Sequence, residues 1–186
     1  MLLKGKHIWQ NALAALALGA AIHLPMEDSM LKTLRTFSGL PHCCQWVRRY
    51  QGVDWYNDSK ATNVKSTNMA LLSIGENVHK INKKNLILIA GGFSKQADFT
   101  PLRDSVYRYV LCVILIGEDT SEIVSALEDI SHIHRAGTLE KAINFAAKIA
   151  RMGDTVLLSP ACASFDQFEN AEARGNDFIK HVNALC

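Results

Sequence analysis

"NLILIAGGFSKQADFTPLRDSVYRYVLCVILIG", residues 85–117, reads as strand, helix, strand: two unbroken apolar runs, "NLILIAGG" and "LCVILIG", flank the amphipathic "TPLRDSVYRYV". A strand that is apolar at every position is buried on both faces, which is the condition of a parallel sheet covered by helices. Working outward, the alternation continues. Downstream come helix "TSEIVSALEDI", a short strand "SHIHRAG", helix "TLEKAINFAAKIA", strand "DTVLLSP" and a last helix from about Phe165 to Leu185; upstream lies helix "NVKSTNMALLSI". The pattern predicts an α/β domain with a Rossmann-like, mostly parallel sheet and helices on both faces.

Further upstream the period changes. "CQWVRRYQGVDWYND" alternates like two short strands turning at Gln51-Gly52, a hairpin signal. Before it, Trp9 to Ile22 is rich in helix formers, and "LPMEDSMLKTLRTFSGLPHC" reads as a second helix with Leu31, Leu34 and Phe37 on one face, closed by Ser38-Gly39 and Pro41. Residues 1–40 are therefore expected to form a short helical segment and 41–186 a separate domain. The opening "MLLKGKHIWQNALAALALGAA" has the two lysines and apolar run of a secretory signal, but Gln10 and Asn11 interrupt that run, so a mature helix is the favoured reading. No apolar stretch reaches the length of a membrane helix.

Composition narrows the partners. A chain of 186 residues with 48% hydrophobic content can bury a core of its own. The net charge of +2 and the absence of a basic stripe speak against nucleic acid and membrane surfaces. The cysteine count is odd, with Cys43 and Cys44 adjacent and Cys112 inside an apolar run; no CxxC spacing suggests zinc, and a reducing cytoplasm is the expected setting.

Three strand ends carry polar groups. "VDWYNDSKATNVKST", residues 53–67, gathers Asp58, Ser59 and Lys60 before a helix start, the place where α/β proteins hold ligands. "LILIAGGFSKQADF" brings Gly91-Gly92 and then Lys95; a tight turn with a solvated lysine is the plainer reading, and the G-x-G-x-x-G dinucleotide fingerprint is absent. "LLSPACASFDQFENAEARGNDF" has Ser164 and Gln167 in the S-x-x-Q spacing of a capping box, for which capping is the plain role and an anion site the sharper one.

Taken together, "DSKATNVKST", "GGFSKQADFTPL" and "LLSPACASFDQFENAEARGNDF" resemble the C-terminal domain of the D-glutamate-adding branch of the Mur ligase family, and "GKHIWQNALAALALG" and "FSGLPHC" resemble the end of that family's central domain and the junction that follows. The resemblance implies an ATP-dependent ligation in peptidoglycan synthesis. In it the carboxylate of UDP-N-acetylmuramoyl-L-alanine is phosphorylated, and the amine of D-glutamate then attacks the acyl phosphate. Carried over position by position, it implies that Asp58 meets the nucleotide ribose, Lys60 the phosphate and reacting region, and Asn11 the adenine side. Thr62, Lys95, Ser164 and Phe165 would bind D-glutamate. ATP and magnesium would be held mainly by the central domain.

Three positions depart from the family pattern: Ile8 stands where an asparagine is usual, Cys43 where an arginine is usual, and Ala171 where a phenylalanine is usual. A thiol cannot replace the always-charged guanidinium fork, so the Cys43 departure bears on nucleotide binding. No G-x-x-x-x-G-K-[ST] phosphate loop occurs in the 186 residues. The expected reading is thus the C-terminal portion of a ligase, inactive alone: a fragment, the product of a broken reading frame, or half of a split enzyme working with a separate N-terminal and central portion. The alternatives are a non-catalytic module binding D-glutamate or a nucleotide, and an unrelated Rossmann-like enzyme, against which the missing fingerprint counts.

Overall fold

The computed structural model describes residues 6–37, 39–78, 84–94 and 96–186, and the chain divides into two compact units, Met1–Leu40 and Pro41–Cys186. The first unit consists of helix α1 (Lys6–Ala21), a π-helical turn over Met26–Leu31 and a short helix α2 (Lys32–Thr36). The Met30 side chain folds into the space left by the missing Cβ of Gly19. Around the rest of α1, Trp9, Leu13 and Leu18 are exposed, as is Ile22 in the turn that follows, so this helix is apolar on several sides. Leu31 and Leu34 are half-buried as expected, whereas Phe37 lies beyond α2 and is exposed.

The second unit opens with strands β1 (Gln45–Tyr50) and β2 (Val53–Asn57), paired antiparallel through the turn at Gln51-Gly52. Both turn residues have positive φ, +49° and +78°, the geometry whose twist matches a two-residue hairpin. Helix α3 (Val64–Val78) leads to β3 (Leu86–Gly91), a 3-10 turn (Thr100–Leu102) and α4 (Arg103–Tyr109) to β4 (Val110–Ile116), and α5 (Ser121–Leu127) to β5 (His132–Gly137). Helix α6 (Leu139–Ile149) then leads to β6 (Thr155–Leu158), and α7 (Ala171–Asn183) closes the chain. The sheet order is β1-β2-β6-β3-β4-β5, with every pair parallel except the first.

Alternate residues of the central strands feed two cores, because successive side chains leave a strand on opposite faces. Leu86, Leu88, Ala90, Val113 and Leu115 pack with Leu71 of α3, Val106 of α4 and Leu127 of α5. Ile87, Ile89, Ile114, Ile116 and Val156 pack with Ile143 of α6 and Phe178 of α7. From β2 to β5 the chain steps one way across the sheet with its helices on the first face; it returns to β6 with α6 on the other, as crossovers of constant hand require. Neighbouring strands β3 and β6 consequently send their following helices to opposite faces. That divergence opens a crevice at their carboxyl ends.

Two expectations need correcting. The last helix does not begin near Phe165, and Ser164 with Gln167 is not its capping box. Residues 164–170 form a turn in which the Gln167 and Phe168 N–H groups donate to the Ser164 carbonyl, while the Gln167 side chain donates to the Gly137 carbonyl at 2.7 Å instead of reaching back. The N-cap is Asn170, extended at φ −158°, whose Oδ1 accepts the Ala173 N–H at 2.8 Å.

Candidate functional site

The loops leaving β2, β6 and β3, three adjacent strands, interlock at the crevice. Asp58 N–H donates to the Leu158 carbonyl, Ala161 N–H to Ala61, Gly91 N–H to Pro160, and Phe93 and Ala163 exchange a pair of bonds at 3.0 and 3.1 Å. The crossing is possible because residue 92 lacks a side chain: Gly92 has φ +122°, and a Cβ there would sit 2.3 Å from the Ala163 carbonyl oxygen. The Gly-Gly pair is therefore a tight crossing of loops.

The three polar residues of the β2 exit point different ways. The Asp58 carboxylate is buried; Oδ1 accepts the Cys44 N–H at 3.0 Å and Oδ2 the Ser159 hydroxyl at 2.8 Å. Burial raises its pKa to about 6 against those bonds, which favour the ionised form. The same burial, with Asp58 alongside, pushes the Cys44 thiol far up. Ser59 is fully buried, and its backbone and side-chain polar groups all have partners. Lys60 and Thr62 are exposed, the Lys60 N–H donating to the His42 carbonyl.

Of the other expected site residues, Ser164 is buried on the β6 exit and Phe165 beside it is 69% exposed. Asn11 is exposed on α1 in the first unit. Lys95 lies outside the described residues, as does Ser38. The structure thus brings Asp58, Lys60, Thr62, Ser164 and Phe165 to neighbouring strand ends. Cys43 is exposed just ahead of β1, and the Ala171 carbonyl accepts the Ser59 hydroxyl at 2.7 Å.

Beneath these loops runs a buried network that sequence reading did not single out. Asn57 donates to His42 Nδ1 at 2.9 Å and to the Gly175 carbonyl at 3.1 Å, and its Oδ1 accepts the Ser59 N–H. Arg174 donates through Nε to Ser59 Oγ, through Nη2 to the carbonyls of Ser59 and Cys162, and through Nη1 to the Ala163 carbonyl, all within 3.0 to 3.3 Å. The available signal was the glycine at 175 inside an otherwise good helical pattern, which asks for a packing reason. His42 is that reason: its ring lies 2.3 Å from where a Cβ on Gly175 would be.

An open cleft of about 440 Å³ lies on the far side of the β3 exit, lined by Asp98, Thr100, Ser121, Glu122 and Ser125 among others. Its carboxylates suit a cation better than an acidic amino acid, and none of the expected site residues lines it. Among the described residues no three His, Cys, Asp or Glu side chains converge as a metal site. Nor is any described helix long and apolar enough to cross a membrane.

Residues 44–162 match the family model described as Mur ligase, glutamate ligase domain. The chain is 52% identical over 183 residues to the UDP-N-acetylmuramoylalanine–D-glutamate ligase of Coxiella burnetii (strain Dugway 5J108-111), an alignment covering 98% of this chain and 40% of that protein. It is 49% identical over 184 residues to the ligase of the same name from Pseudomonas aeruginosa PAO1, covering 99% and 40%. The chain thus spans about 40% of the length of these relatives. Among solved structures, E. coli FolC in complex with DHPP and ADP superposes with a TM-score of 0.64 at 17% identity, covering 94% of this chain and 39% of that one, a likeness of fold alone. The chain belongs to the Mur ligase family, through its glutamate ligase domain.

Proposed function

We propose that the chain is the C-terminal portion of an ATP-dependent ligase that joins D-glutamate to UDP-N-acetylmuramoyl-L-alanine in peptidoglycan synthesis, working in the cytoplasm. The observation that carries this reading is the identity of about half of all residues, across nearly the whole chain, with ligases so named. In this reading residues 41–186 are the D-glutamate domain, and residues 1–40 are the helical end of a central ATP-binding domain. The exposed apolar surface of α1 supports the second assignment, because such a helix belongs inside a larger body.

ATP supplies the phosphoryl group that turns the substrate carboxylate into an acyl phosphate. This chain's residues bind and orient. Lys95, Thr62, Ser164 and Phe165 hold D-glutamate, whose two carboxylates call for a fixed positive charge and converging donors. Lys60 projects toward the phosphate and reacting region, and Asn11 toward the adenine side. In this reading Asp58 meets the nucleotide ribose. Magnesium and the triphosphate are held mainly outside this chain, since phosphoryl transfer depends on a phosphate cradle that its sequence lacks.

The test is phosphate release and amide formation by residues 1–186 with ATP, magnesium, D-glutamate and the UDP-linked substrate, alone and with a separately made N-terminal and central portion. Activity only in the mixture supports the reading, and turnover by the chain alone refutes it. A second reading, a binding module without catalysis, is favoured by the exposed Cys43 at a position where the family has arginine. It predicts that D-glutamate or a nucleotide binds while the mixture stays inactive.

A further inference from the structure

Arg174 is 1% exposed and sits within α7, yet none of its four hydrogen bonds goes to a carboxylate. Its acceptors are neutral oxygens on two different loops. Ser59 stands between Asp58 and Lys60 on the β2 exit; Cys162 and Ala163 immediately precede Ser164 on the β6 exit. A buried guanidinium that spends every hydrogen bond on neutral oxygens, with Asp166 acting on it only through space, is a costly way to fill space, and apolar replacements of buried ionic groups are often neutral or stabilising. Burial lowers its pKa only to about 10, so the group is charged at neutral pH. What an arginine provides and an apolar side chain does not is a rigid planar fork of donors that reaches several acceptors in fixed directions.

We propose that Arg174 is a positioning residue that locks the β2 and β6 exits to one another and so fixes the spacing between the groups carried by each, Lys60 and Thr62 on one side and Ser164 and Phe165 on the other. The role as a lock stands on this geometry alone; its bearing on D-glutamate rests on the function proposed above. Because Ser59 Oγ donates a hydrogen bond to the Ala171 carbonyl while accepting one from Arg174 Nε, the β2 exit is also tied to the first turn of α7. The Arg174 backbone N–H in turn donates to the Asn170 carbonyl. The lock therefore joins two loops to the helix that follows one of them.

The experiment uses the full 186-residue chain and three variants. R174K keeps the charge and loses the fork, R174M keeps the approximate length and loses charge and donors, and S59A removes the Nε acceptor together with the bond from that hydroxyl to the Ala171 carbonyl while leaving the other three Arg174 bonds in place. Amide hydrogen exchange is followed by NMR at Ala61 of the β2 exit and at Ala163 and Phe168 of the β6 exit, with Ile87 and Ile114 reporting on the core. The expected result is that R174K and R174M speed exchange on both exits together, by about tenfold or more for the loss of charge-assisted bonds, while Ile87 and Ile114 keep their rates. S59A should speed the β2 exit more than the β6 exit. If R174M fails to fold, R174K and S59A decide. Unchanged exchange on either exit in R174K would overturn the proposal, as would a uniform rise that included the core, which would mean ordinary stability. Titration with D-glutamate, read on the same amides, should show weaker binding in R174K than in the unmodified chain. A titration that is silent in the unmodified chain counts against the D-glutamate site and leaves the exchange result to judge the lock.

Discussion

Asn57 donates its amide proton to Nδ1 of His42 at 2.9 Å, and the direction of that bond is forced. The Asn57 oxygen is already the acceptor for the Ser59 N–H, and its nitrogen also donates to the Gly175 carbonyl. Nδ1 must then be the bare nitrogen of a neutral imidazole carrying its proton on Nε2. Burial lowers the His42 pKa, with Glu172 pulling the other way and Lys60 adding to the fall. Long-range proton–nitrogen NMR should find Nδ1 unprotonated at neutral pH and titrating below 6.5, the ordinary value. Because the folded pKa lies below the unfolded one, the unfolded chain binds the extra proton first. This contribution to stability is present above about 6.5 and is lost as pH falls through the folded value. A protonated Nδ1 at neutral pH would contradict the network.

Asp58 works in the opposite direction. Its folded pKa of about 6 lies above the unfolded 3.8, so the native state takes up its proton first. Above about 6 the buried carboxylate costs stability, and that cost is relieved as pH falls toward 3.8; the displacement corresponds to roughly 3 kcal/mol. Asp58→Asn should be at least as stable as the unmodified chain at pH 8. Urea unfolding from pH 8 to 4 should then show the unmodified chain gaining on the variant as the acid form appears. Parallel curves across that range would mean that Asp58 titrates at its ordinary value.

Gly92→Ala tests the crossing of the β3 and β6 exits. Its φ of +122° is open almost only to glycine, and the new methyl would meet the Ala163 carbonyl oxygen. Backbone strain of about 1–3 kcal/mol and the clash add together, so a loss of roughly 3 kcal/mol or more is expected in chemical denaturation. A loss below about 1 kcal/mol would show that the crossing relaxes easily.

Asn170→Ala should cost about 1 kcal/mol, the usual worth of an N-cap, whereas Ser164→Ala removes no cap. Thermal unfolding of the two variants separates the observed start of α7 from the one the S-x-x-Q spacing suggested. The contrast also marks how far the sequence was legible. Residues 86–91 and 110–116 announced their strands because burial on both faces leaves no polar position to mislead. The hairpin at Gln51-Gly52 was legible for a related reason, since the turn is made by neighbours in sequence. The loop at 164–170 was not, because the Gln167 side chain is engaged by Gly137, a partner 30 residues away. Arg174 was hidden in the same way: on a helical pattern it resembles any solvated basic residue, and only the fold reveals Ser59 and Cys162 around it. The sequence did place Asp58, Lys60, Thr62, Ser164 and Phe165 at strand ends, since a ligand crevice in an open α/β sheet lies where strands give way to helices.

The last prediction separates the two lysines. D-glutamate carries two carboxylates, and Lys95 is the one fixed charge among the residues proposed to hold it, whereas Lys60 is proposed to serve the phosphate side. A charge-assisted hydrogen bond is worth about 1.5 to 3 kcal/mol, so Lys95→Ala should weaken D-glutamate binding roughly ten- to a hundredfold. Lys60→Ala should leave that affinity within about twofold of the unmodified value, because removing a charge from a solvated side chain not in contact with the ligand changes little. Calorimetric titration with D-glutamate, on a complete ligase carrying this domain and on the isolated chain, provides the comparison. The complete ligase adds turnover as a second reading, in which Lys60→Ala should lower kcat and Lys95→Ala should chiefly raise the KM for D-glutamate. Equal losses of D-glutamate affinity in the two variants would mean that both lysines face one anion, and the division of labour between the β2 and β3 exits would then be wrong.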